Sequence, residues 1–230
     1  MSQIQLSQNG RRLIKLYSQM VKQGFKRTDG TKVKPEHVYN SFQLAKFSDY
    51  CKKHFIKDKV NSVLDYGGGG SDWDAANFKG VNSTSAKKFF EISEVITYEP
   101  ARNLMEKKKS DCVVCMDVLE HIFLADVPNI VHELYSLANK LLVVNVACYK
   151  AEALLPNGEN AHITIRSPDW WKGVFDSFCG DFPKVKLILI CSTQFNKGVI
   201  YETFCANDWH SSKTFTVDLK HMNFSLKLNS

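Results

Sequence analysis

Apolar residues recur along the chain in two kinds of pattern, and each kind predicts one type of element. Where they are spaced three or four positions apart, with polar residues between them, an amphipathic helix is expected. Short continuous apolar runs bounded by glycine, proline or charged residues are typical of strands buried on both faces. The predicted helices cover 11–25, 36–55, 84–92 and 126–139, and a further helix begins at Ser167-Pro168-Asp169. The predicted strands cover 60–65, 94–99, 111–117, 141–147, 185–191 and 198–206.

Strands that alternate with helices predict an α/β protein whose sheet is doubly wound and mostly parallel. The last two strands are an exception, because the short joint 192–197 implies an antiparallel hairpin. After the strand at 94–99, residues 101–110 leave too little room for a helix and another strand, since a parallel crossover needs about a dozen residues or more. The third strand of such a sheet is therefore expected to be missing.

The C-terminal residues follow a different pattern. Apolar and polar residues alternate over 215–219 and again over 222–228. This pattern predicts two extra strands that turn near Lys220-His221. They are expected either to cover an open edge of the sheet or to pair with a second chain, so a monomer and a homodimer both stay open.

Composition indicates one globular domain. The 230 residues suffice for a full core, and 44% hydrophobic and 23% charged residues are ordinary values. No apolar run reaches the roughly 20 residues of a membrane helix, and the N-terminus lacks the apolar core of a signal peptide. Cys112, Cys115, Cys191 and Cys205 lie in apolar runs typical of reduced, buried thiols. We therefore expect a cytoplasmic protein with no membrane contact.

Positive charge is concentrated at the N-terminus. Residues 1–60 hold thirteen Lys or Arg and four Asp or Glu, a balance of +9; the whole chain carries +6, so the remainder carries −3. Such a basic leader is found in proteins that bind nucleic acid or another anionic partner, but more often it is the solvated face of helices. We favour the solvated face and keep nucleic acid as an alternative.

The most informative stretch is Val63-Leu64-Asp65-Tyr66-Gly67-Gly68-Gly69-Gly70, in which an apolar strand enters a turn of four glycines. Glycine has no Cβ, so it adopts positive φ and lets a ligand contact the backbone. A phosphate-binding P-loop would need Gly-Lys-Ser/Thr at its end, and a dinucleotide fingerprint would need a glycine where Asp72 stands. Asp72 and Asp74 also disfavour a pyrophosphate and favour a cationic ligand.

Asp65-Tyr66-Gly67-Gly68-Gly69-Gly70 resembles the first motif, Asp/Glu-x-Gly-x-Gly-x-Gly, of class I S-adenosylmethionine-dependent methyltransferases. Gly67 and Gly69 match the first two family glycines, and Ser71 replaces the third. S-adenosylmethionine carries a sulfonium charge and no phosphate, which agrees with the acidic surroundings. The resemblance implies a Rossmann-like fold and a cofactor-binding loop formed by Asp65, Tyr66, Gly67, Gly68 and Gly69.

Two further matches follow in the order of the family. Glu99 ends the second predicted strand, where the family has an acid that accepts hydrogen bonds from both ribose hydroxyls of the cofactor. A carboxylate suits this task because its two oxygens can take two donors. The run Asp111-Cys112-Val113-Val114-Cys115-Met116-Asp117-Val118-Leu119-Glu120-His121-Ile122 resembles the strand-four signature of ubiquinone-biosynthesis-type O-methyltransferases. By this resemblance Met116 and Asp117 border the methionine half of the cofactor.

Two histidines are candidates for a catalytic base that removes a proton from an acceptor hydroxyl. His121 belongs to the third motif, in which it is often structural, and His162 precedes the helix that begins at Ser167. For His162 a hydrogen-bonded structural role is an equal alternative. No metal site is expected, because Glu120-His121 and His132-Glu133 are adjacent pairs whose side chains point apart on a helix.

These patterns divide the chain into an N-terminal helical cap at 1–58, a Rossmann-like S-adenosylmethionine-binding core at 59–207 and a C-terminal extension with a hairpin at 208–230. The expected activity is methyl transfer to an oxygen or nitrogen of a small molecule, such as a sugar or a metabolite hydroxyl. One alternative is a methyltransferase that holds nucleic acid or another macromolecule on the basic cap. The other is a non-catalytic module that binds the cofactor or a partner.

Overall fold

The computed structural model describes residues 5–40, 42–203, 212–218 and 223–228, which contain five α-helices and eleven strands. The helices are α1 (Gln8–Gln23), α2 (Ser48–Lys57), α3 (Ala86–Phe90), α4 (Val127–Leu137) and α5 (Pro168–Cys179). The strands are β1 (Phe25–Arg27), β2 (Lys32–Val33), β3 (Ser62–Tyr66), β4 (Glu94–Tyr98), β5 (Ser110–Met116), β6 (Ala138–Ala147), β7 (Ala153–Leu154), β8 (Lys186–Gln194), β9 (Lys197–Thr203), β10 (Ser212–Asp218) and β11 (Asn223–Leu228).

The predicted α/β architecture with a mostly parallel sheet is confirmed. A large sheet has eight strands in the order β11-β10-β9-β8-β6-β5-β3-β4. The strands from β8 to β4 are parallel, whereas β8, β9, β10 and β11 pair as antiparallel neighbours. The chain places β4 on one side of β3 and then returns to place β5 on the other side. This reversal leaves a crevice at the carboxyl ends of β3 and β5, where open α/β sheets bind ligands.

The prediction that the third strand is missing is confirmed, because the described residues between β4 and β5 form no strand. Residues 99–109 hold a 3₁₀ turn at Pro100–Arg102 and an isolated bridge between Glu99 and Leu104. The chain then runs directly into β5 on the far side of β3. The short connection explains why the sheet stops at β4.

Alternating side chains of the parallel strands fill both faces of the sheet. Val63 contributes to a core cluster with Phe55 of α2 and Phe90 of α3. Its neighbour Leu64 contributes to a second cluster, on the other face, that also contains Trp171 of α5 and side chains of α4. Coverage on both faces explains why these strands read as continuous apolar runs.

The N-terminal segment contains a small sheet that the sequence pattern did not predict. α1 begins after Ser7, whose hydroxyl accepts a hydrogen bond from the Gly10 N–H at 3.0 Å, and it ends at Gly24, which has a φ of +78°. The chain then forms β1 and β2, and β7 joins them as the third strand in the order β2-β1-β7. These strands are only two or three residues long, too short to leave a periodic signal.

The helix predicted over 36–55 is wrong in its first half. Pro35–His37 and Gln43–Phe47 are 3₁₀ turns, and α2 begins only at Ser48. Tyr39 has a φ of +54°, and its carbonyl oxygen accepts the Gly70 N–H at 2.9 Å. A contact with the glycine turn therefore interrupts the helix that the apolar spacing predicts.

The C-terminal strands extend the large sheet. The predicted hairpin is present as β8 and β9, and the two strands predicted in the tail are present as β10 and β11. β10 pairs with β9, and Phe215 and Val217 on β10 are buried in the cluster that contains Phe55. The turn predicted near Lys220-His221 and the end of the strand predicted over 198–206 lie outside the described residues.

Cysteine burial follows the prediction where the structure describes it. Cys112, Cys115 and Cys191 are fully buried, and the six described cysteines form no disulfide. Cys205 lies outside the described residues. None of the helices in the described ranges combines the length and the apolar character that a membrane crossing requires.

Candidate functional site

A cavity of about 800 Å³ lies at the carboxyl ends of β3 and β5. Small-molecule sites usually measure about 300–1,000 Å³, so this cavity has room for a cofactor and a small acceptor together. All ten residues predicted for the site contribute to its lining: Asp65, Tyr66, Gly67, Gly68, Gly69, Glu99, Met116, Asp117, His121 and His162. The fold thus brings the three sequence motifs and His162 to one place.

The turn after β3 requires glycine at two positions. Gly67 and Gly69 have φ values of +75° and +59°, a region that favours glycine. A Cβ on Gly69 would lie 2.7 Å from the Tyr39 carbonyl oxygen, and a Cβ on Gly67 would lie 2.5 Å from Cγ2 of Val118. The Gly67 N–H also donates to the carbonyl of Tyr98 in β4 at 2.7 Å. The glycines therefore keep the backbone tightly folded between β4 and the N-terminal segment while it faces the cavity.

Glu99 lies directly beside this turn. Its Oε2 accepts a hydrogen bond from the Gly69 N–H at 3.0 Å, and its Oε1 accepts one from the Ala101 N–H at 3.0 Å. Burial raises the pKa of Glu99, and the two backbone N–H donors oppose that rise. Each carboxylate oxygen can accept a second hydrogen bond, so the acid keeps the capacity to bind two ligand hydroxyls.

Asp65 is buried beneath the glycine turn. Its Oδ2 accepts a hydrogen bond from Nε1 of Trp73 at 2.8 Å. Burial raises the pKa of Asp65 to about 6; the Trp73 hydrogen bond lowers it, and the nearby charge of Glu99 raises it further. A cationic ligand in the cavity would favour the ionised carboxylate, because opposite charges stabilise the charged form.

Asp117 follows β5 in an unfavourable backbone conformation, with a φ of +55°. Its N–H donates to the Asn145 carbonyl at 3.0 Å, and the Asn145 side-chain amide donates to its carboxylate. The Ser192 hydroxyl in turn donates to Oδ1 of Asn145 at 2.8 Å. Burial raises the pKa of Asp117, and the positive charge of Lys46 lowers it. A residue whose strained backbone is held in place by neighbouring strands is typical of a ligand-binding position.

His121 and His162 lie side by side in the cavity, with ring centroids 4.8 Å apart. Nδ1 of His162 is 2.6 Å from the Tyr149 carbonyl oxygen, and Nδ1 of His121 is 2.9 Å from the Ala161 carbonyl oxygen. A carbonyl only accepts, so Nδ1 carries the proton in each ring and Nε2 keeps its lone pair. Burial lowers the pKa of both rings, to about 3 for His121, and the neutral imidazole is favoured at pH 7.

Glu120, adjacent to His121, is a buried acid that the sequence did not assign to the site, and it does not itself line the cavity. It is fully buried, and its Oε1 accepts the Ala147 N–H at 2.9 Å, whereas its Oε2 has no hydrogen-bond partner among the described residues. Ligand atoms of Glu120, His121 and His162 all lie within 4.8 Å of one another. Carboxylate oxygen and imidazole nitrogen are ligands for divalent metal ions, so these three side chains form a candidate metal-binding group.

The expectation of no metal site requires that Glu120 and His121 point apart on a regular helix. Instead they belong to the 3₁₀ turn Leu119–His121, and one ligand atom of each lies within 4.8 Å of the other. The third member, His162, comes from a different loop. Thr164 joins the two segments, because its N–H donates to the Glu120 carbonyl at 2.9 Å and its hydroxyl donates to the Ile122 carbonyl at 2.7 Å.

The N-terminal segment forms a largely apolar wall of the same cavity. Its apolar lining side chains include Leu13, Ile14, Tyr17, Phe25, Val33, Tyr39 and Phe42, and its polar ones are Arg27, His37, Gln43 and Lys46. The Tyr17 hydroxyl donates to the Ala161 carbonyl at 2.8 Å and lies 3.1 Å from Nδ1 of His121, which fixes this wall next to the histidines. Lys46 adds a positive charge; burial lowers its pKa, and the charges of Asp117 and Glu120 raise it.

No protein-family model, curated protein or solved structure matches this chain. The geometry of the cavity and the chemistry of its side chains therefore indicate the function.

Proposed function

We propose that this protein is an S-adenosylmethionine-dependent methyltransferase with a Rossmann-like fold, which transfers a methyl group to an oxygen or nitrogen of a small molecule. The contact between Glu99 and the glycine turn carries this proposal. The carboxylate at the end of β4 accepts a hydrogen bond from Gly69 at 3.0 Å, and both groups line the cavity between β3 and β5. An acid in this position can accept the ribose hydroxyls of an adenosyl cofactor while the turn faces its amino-acid half.

The strand order supports a Rossmann-like fold. Strands β4-β3-β5-β6-β8 correspond to positions 2-1-4-5-6 of the doubly wound order 3-2-1-4-5-6, with its edge strand absent. In such sheets the ligand lies where the strand order reverses, and here that place is the crevice beside β3. The cavity and the proposed cofactor site therefore coincide.

The charges of the cavity favour a sulfonium compound over a phosphate-bearing one. Three carboxylates, those of Asp65, Glu99 and Asp117, line the cavity around the glycine turn. Desolvation makes each of them costly to ionise, and a nearby cation relieves that cost whereas a phosphate increases it. S-adenosylmethionine brings two positive groups, the sulfonium and the ammonium of its methionine half.

Lys46 and Asp117 suit the methionine half of the cofactor. Both side chains line the cavity, and each shifts the pKa of the other toward its charged form. We assign the cofactor ammonium to Asp117 and the cofactor carboxylate to Lys46. This arrangement satisfies both charges of an amino acid with one anion and one cation.

The chemistry is an in-line displacement that needs alignment and exclusion of water more than covalent participation by the protein. The acceptor oxygen forms a bond to the methyl carbon while the carbon–sulfur bond breaks, and the electron pair returns to sulfur as a neutral thioether. When the acceptor is a hydroxyl, its proton moves to a base. Nε2 of His162 is placed for this role, because its Nδ1 is held by the Tyr149 carbonyl at 2.6 Å. His121, 4.8 Å away between centroids, is the second candidate.

The acceptor side of the cavity favours a small molecule with an apolar body. The wall next to His121 is built from aromatic and aliphatic side chains of α1, β1 and β2, which offer contact area and few charges. The hydroxyl or amino group of the acceptor would point from this wall toward the histidines. The basic exposed side chains of α1, such as Arg11 and Arg12, lie outside the lining of the cavity.

A calorimetric titration compares the proposed ligand with the main alternatives. S-adenosylhomocysteine and S-adenosylmethionine are expected to bind one to one, whereas NAD and ATP are expected not to bind because their phosphates meet the three carboxylates. At a hundredfold excess over the dissociation constant, S-adenosylhomocysteine should stabilise the protein by about 2.7 kcal/mol and raise Tm by roughly 5–10 °C. The proposal would be overturned if NAD or ATP bound saturably while S-adenosylhomocysteine and S-adenosylmethionine did not bind.

A further inference from the structure

Glu120, His121 and His162 form a compact group of three metal-ligand side chains: the two histidines line the cavity, and the fully buried Glu120 lies beside them. Their ligand atoms lie within 4.8 Å of one another. In a tetrahedral site with metal–nitrogen and metal–oxygen bonds of about 2.0–2.2 Å, two ligand atoms lie about 3.3–3.6 Å apart. Atoms that are 4.8 Å apart must therefore approach each other by about 1.2–1.5 Å to share one ion, a movement that rotation of the side chains has to supply.

The surroundings of these three side chains have features that are typical of metal-binding sites. Oε2 of the fully buried Glu120 has no hydrogen-bond partner among the described residues, although a buried carboxylate oxygen normally has one. Backbone carbonyls hold Nδ1 of both rings, at 2.6 Å for His162 and 2.9 Å for His121. Metal-binding histidines characteristically donate one ring N–H to a carbonyl or carboxylate, which fixes the tautomer and turns the other nitrogen toward the ion.

We propose that Glu120, His121 and His162 bind one divalent first-row metal ion, of the class of Zn²⁺, Mn²⁺ or Co²⁺. Two histidines and one carboxylate form the ligand set of many catalytic sites and leave coordination positions open for other molecules. The binding of the ion does not depend on the proposed function, but the role of the ion does rest on the proposed methyl transfer. His121 and His162 line the cavity, so open positions on their side of the ion would face an oxygen acceptor that enters from the apolar wall.

The ion would change how the acceptor loses its proton. A divalent ion lowers the pKa of a hydroxyl that contacts it, so the proton leaves to water before or during methyl transfer. The acceptor oxygen then bonds to the methyl carbon, the carbon–sulfur bond breaks and its electron pair stays on sulfur. In this case His121 and His162 are ligands, and neither ring serves as the base.

Metal binding by the full-length chain, after treatment with a chelator, tests the proposal without an activity assay. Titration with Co²⁺ should give one bound ion and visible absorption bands typical of nitrogen and oxygen ligation, and Zn²⁺ should displace the cobalt. Glu120→Gln and His162→Asn should each weaken binding by more than about tenfold, since loss of even an outer-shell partner costs about 10–100-fold. His132→Asn is the matched control, because His132 is exposed and lies outside the cavity lining.

Circular dichroism and the titration with S-adenosylhomocysteine are measured on the same variants. Folded variants that keep the nucleoside ligand and lose the metal support the proposal. Wild-type protein that gives no cobalt absorption bands overturns it, as does metal affinity that is equal in the wild type, Glu120→Gln and His162→Asn. If the wild type binds the metal but not the nucleoside, the metal site stands and the proposed methyl transfer fails.

Discussion

Replacing Glu99 by alanine is expected to lower the affinity for S-adenosylhomocysteine by roughly a hundredfold. The substitution removes two hydrogen bonds between the ribose hydroxyls and a carboxylate, each worth about 1.5–3 kcal/mol when one partner is charged. A combined loss near 3 kcal/mol corresponds to about a hundredfold in affinity. Isothermal calorimetry measures the change directly, and Glu94→Ala is the matched control, because Glu94 begins the same strand, is exposed and pairs with Lys108 outside the cavity.

Glu99 also accepts the N–H groups of Gly69 and Ala101, so alanine at this position could loosen the turn. A 2′,3′-dideoxy analogue of S-adenosylhomocysteine separates the two effects. The analogue lacks both ribose hydroxyls, so it should bind the wild type and Glu99→Ala with similar, weak affinity. If Glu99→Ala instead lowers the affinity for the analogue as much as for the parent compound, the acid acts through the turn and the ribose assignment is wrong.

Replacing Gly69 by alanine is expected to lower the affinity for S-adenosylhomocysteine by at least about tenfold. Alanine at a φ of +59° carries a strain of roughly 1–2 kcal/mol. Its Cβ would also lie 2.7 Å from the Tyr39 carbonyl oxygen, a backbone atom that cannot rotate away as a side chain can. The turn must therefore move, and a displacement there alters the surface against which the cofactor lies.

Gly80→Ala is the matched control for this substitution. Gly80 has a φ of +73°, but a Cβ at that position would have no atom within 4 Å. The control therefore contains the backbone strain without the steric clash and lies outside the cavity lining. It should lose stability in thermal unfolding and keep full affinity for the ligand. Equal affinities in Gly69→Ala and the wild type would show that the turn does not form the cofactor site.

The core of the fold and the ends of its strands could be predicted from the sequence for a simple reason. The parallel strands carry apolar runs, so β3, β4, β5 and β6 are visible in the sequence, although β4 lies at the sheet edge and is only partly buried. Glycine, glutamate and aspartate at the ends of the first three runs then mark the positions where parallel strands bind ligands. The missing strand after β4 followed from chain length alone, because residues 101–110 cannot hold a crossover.

The N-terminal segment could not be predicted in the same way. Apolar spacing over 36–55 is compatible with a helix, and only the three-dimensional contact between Tyr39 and Gly70 shows why the helix does not form there. Periodicity reports which face of a segment is buried, whereas the partner that a carbonyl finds on a distant loop leaves no periodic signal. The two- and three-residue strands β1, β2 and β7 escape detection for the same reason.

The group of Glu120, His121 and His162 could not be predicted from the sequence for a different reason. Glu120 and His121 are neighbours in the sequence, but the hydrogen bonds of Thr164 bring His162 to them from a loop some forty residues later. The position of His162 before a helix predicts a possible base, and nothing in the sequence pattern links it to Glu120. Burial of a carboxylate next to two imidazoles is a property of the folded chain and leaves no pattern in the sequence.

A co-crystal structure with S-adenosylhomocysteine tests the central claim most directly. The proposed function predicts that both ribose hydroxyls lie within hydrogen-bond distance of the Glu99 carboxylate. It also predicts that the amino acid lies between Lys46 and Asp117 and that the sulfur points toward His121 and His162. Density for the ligand outside this cavity, or a ribose far from Glu99 within it, would contradict the account.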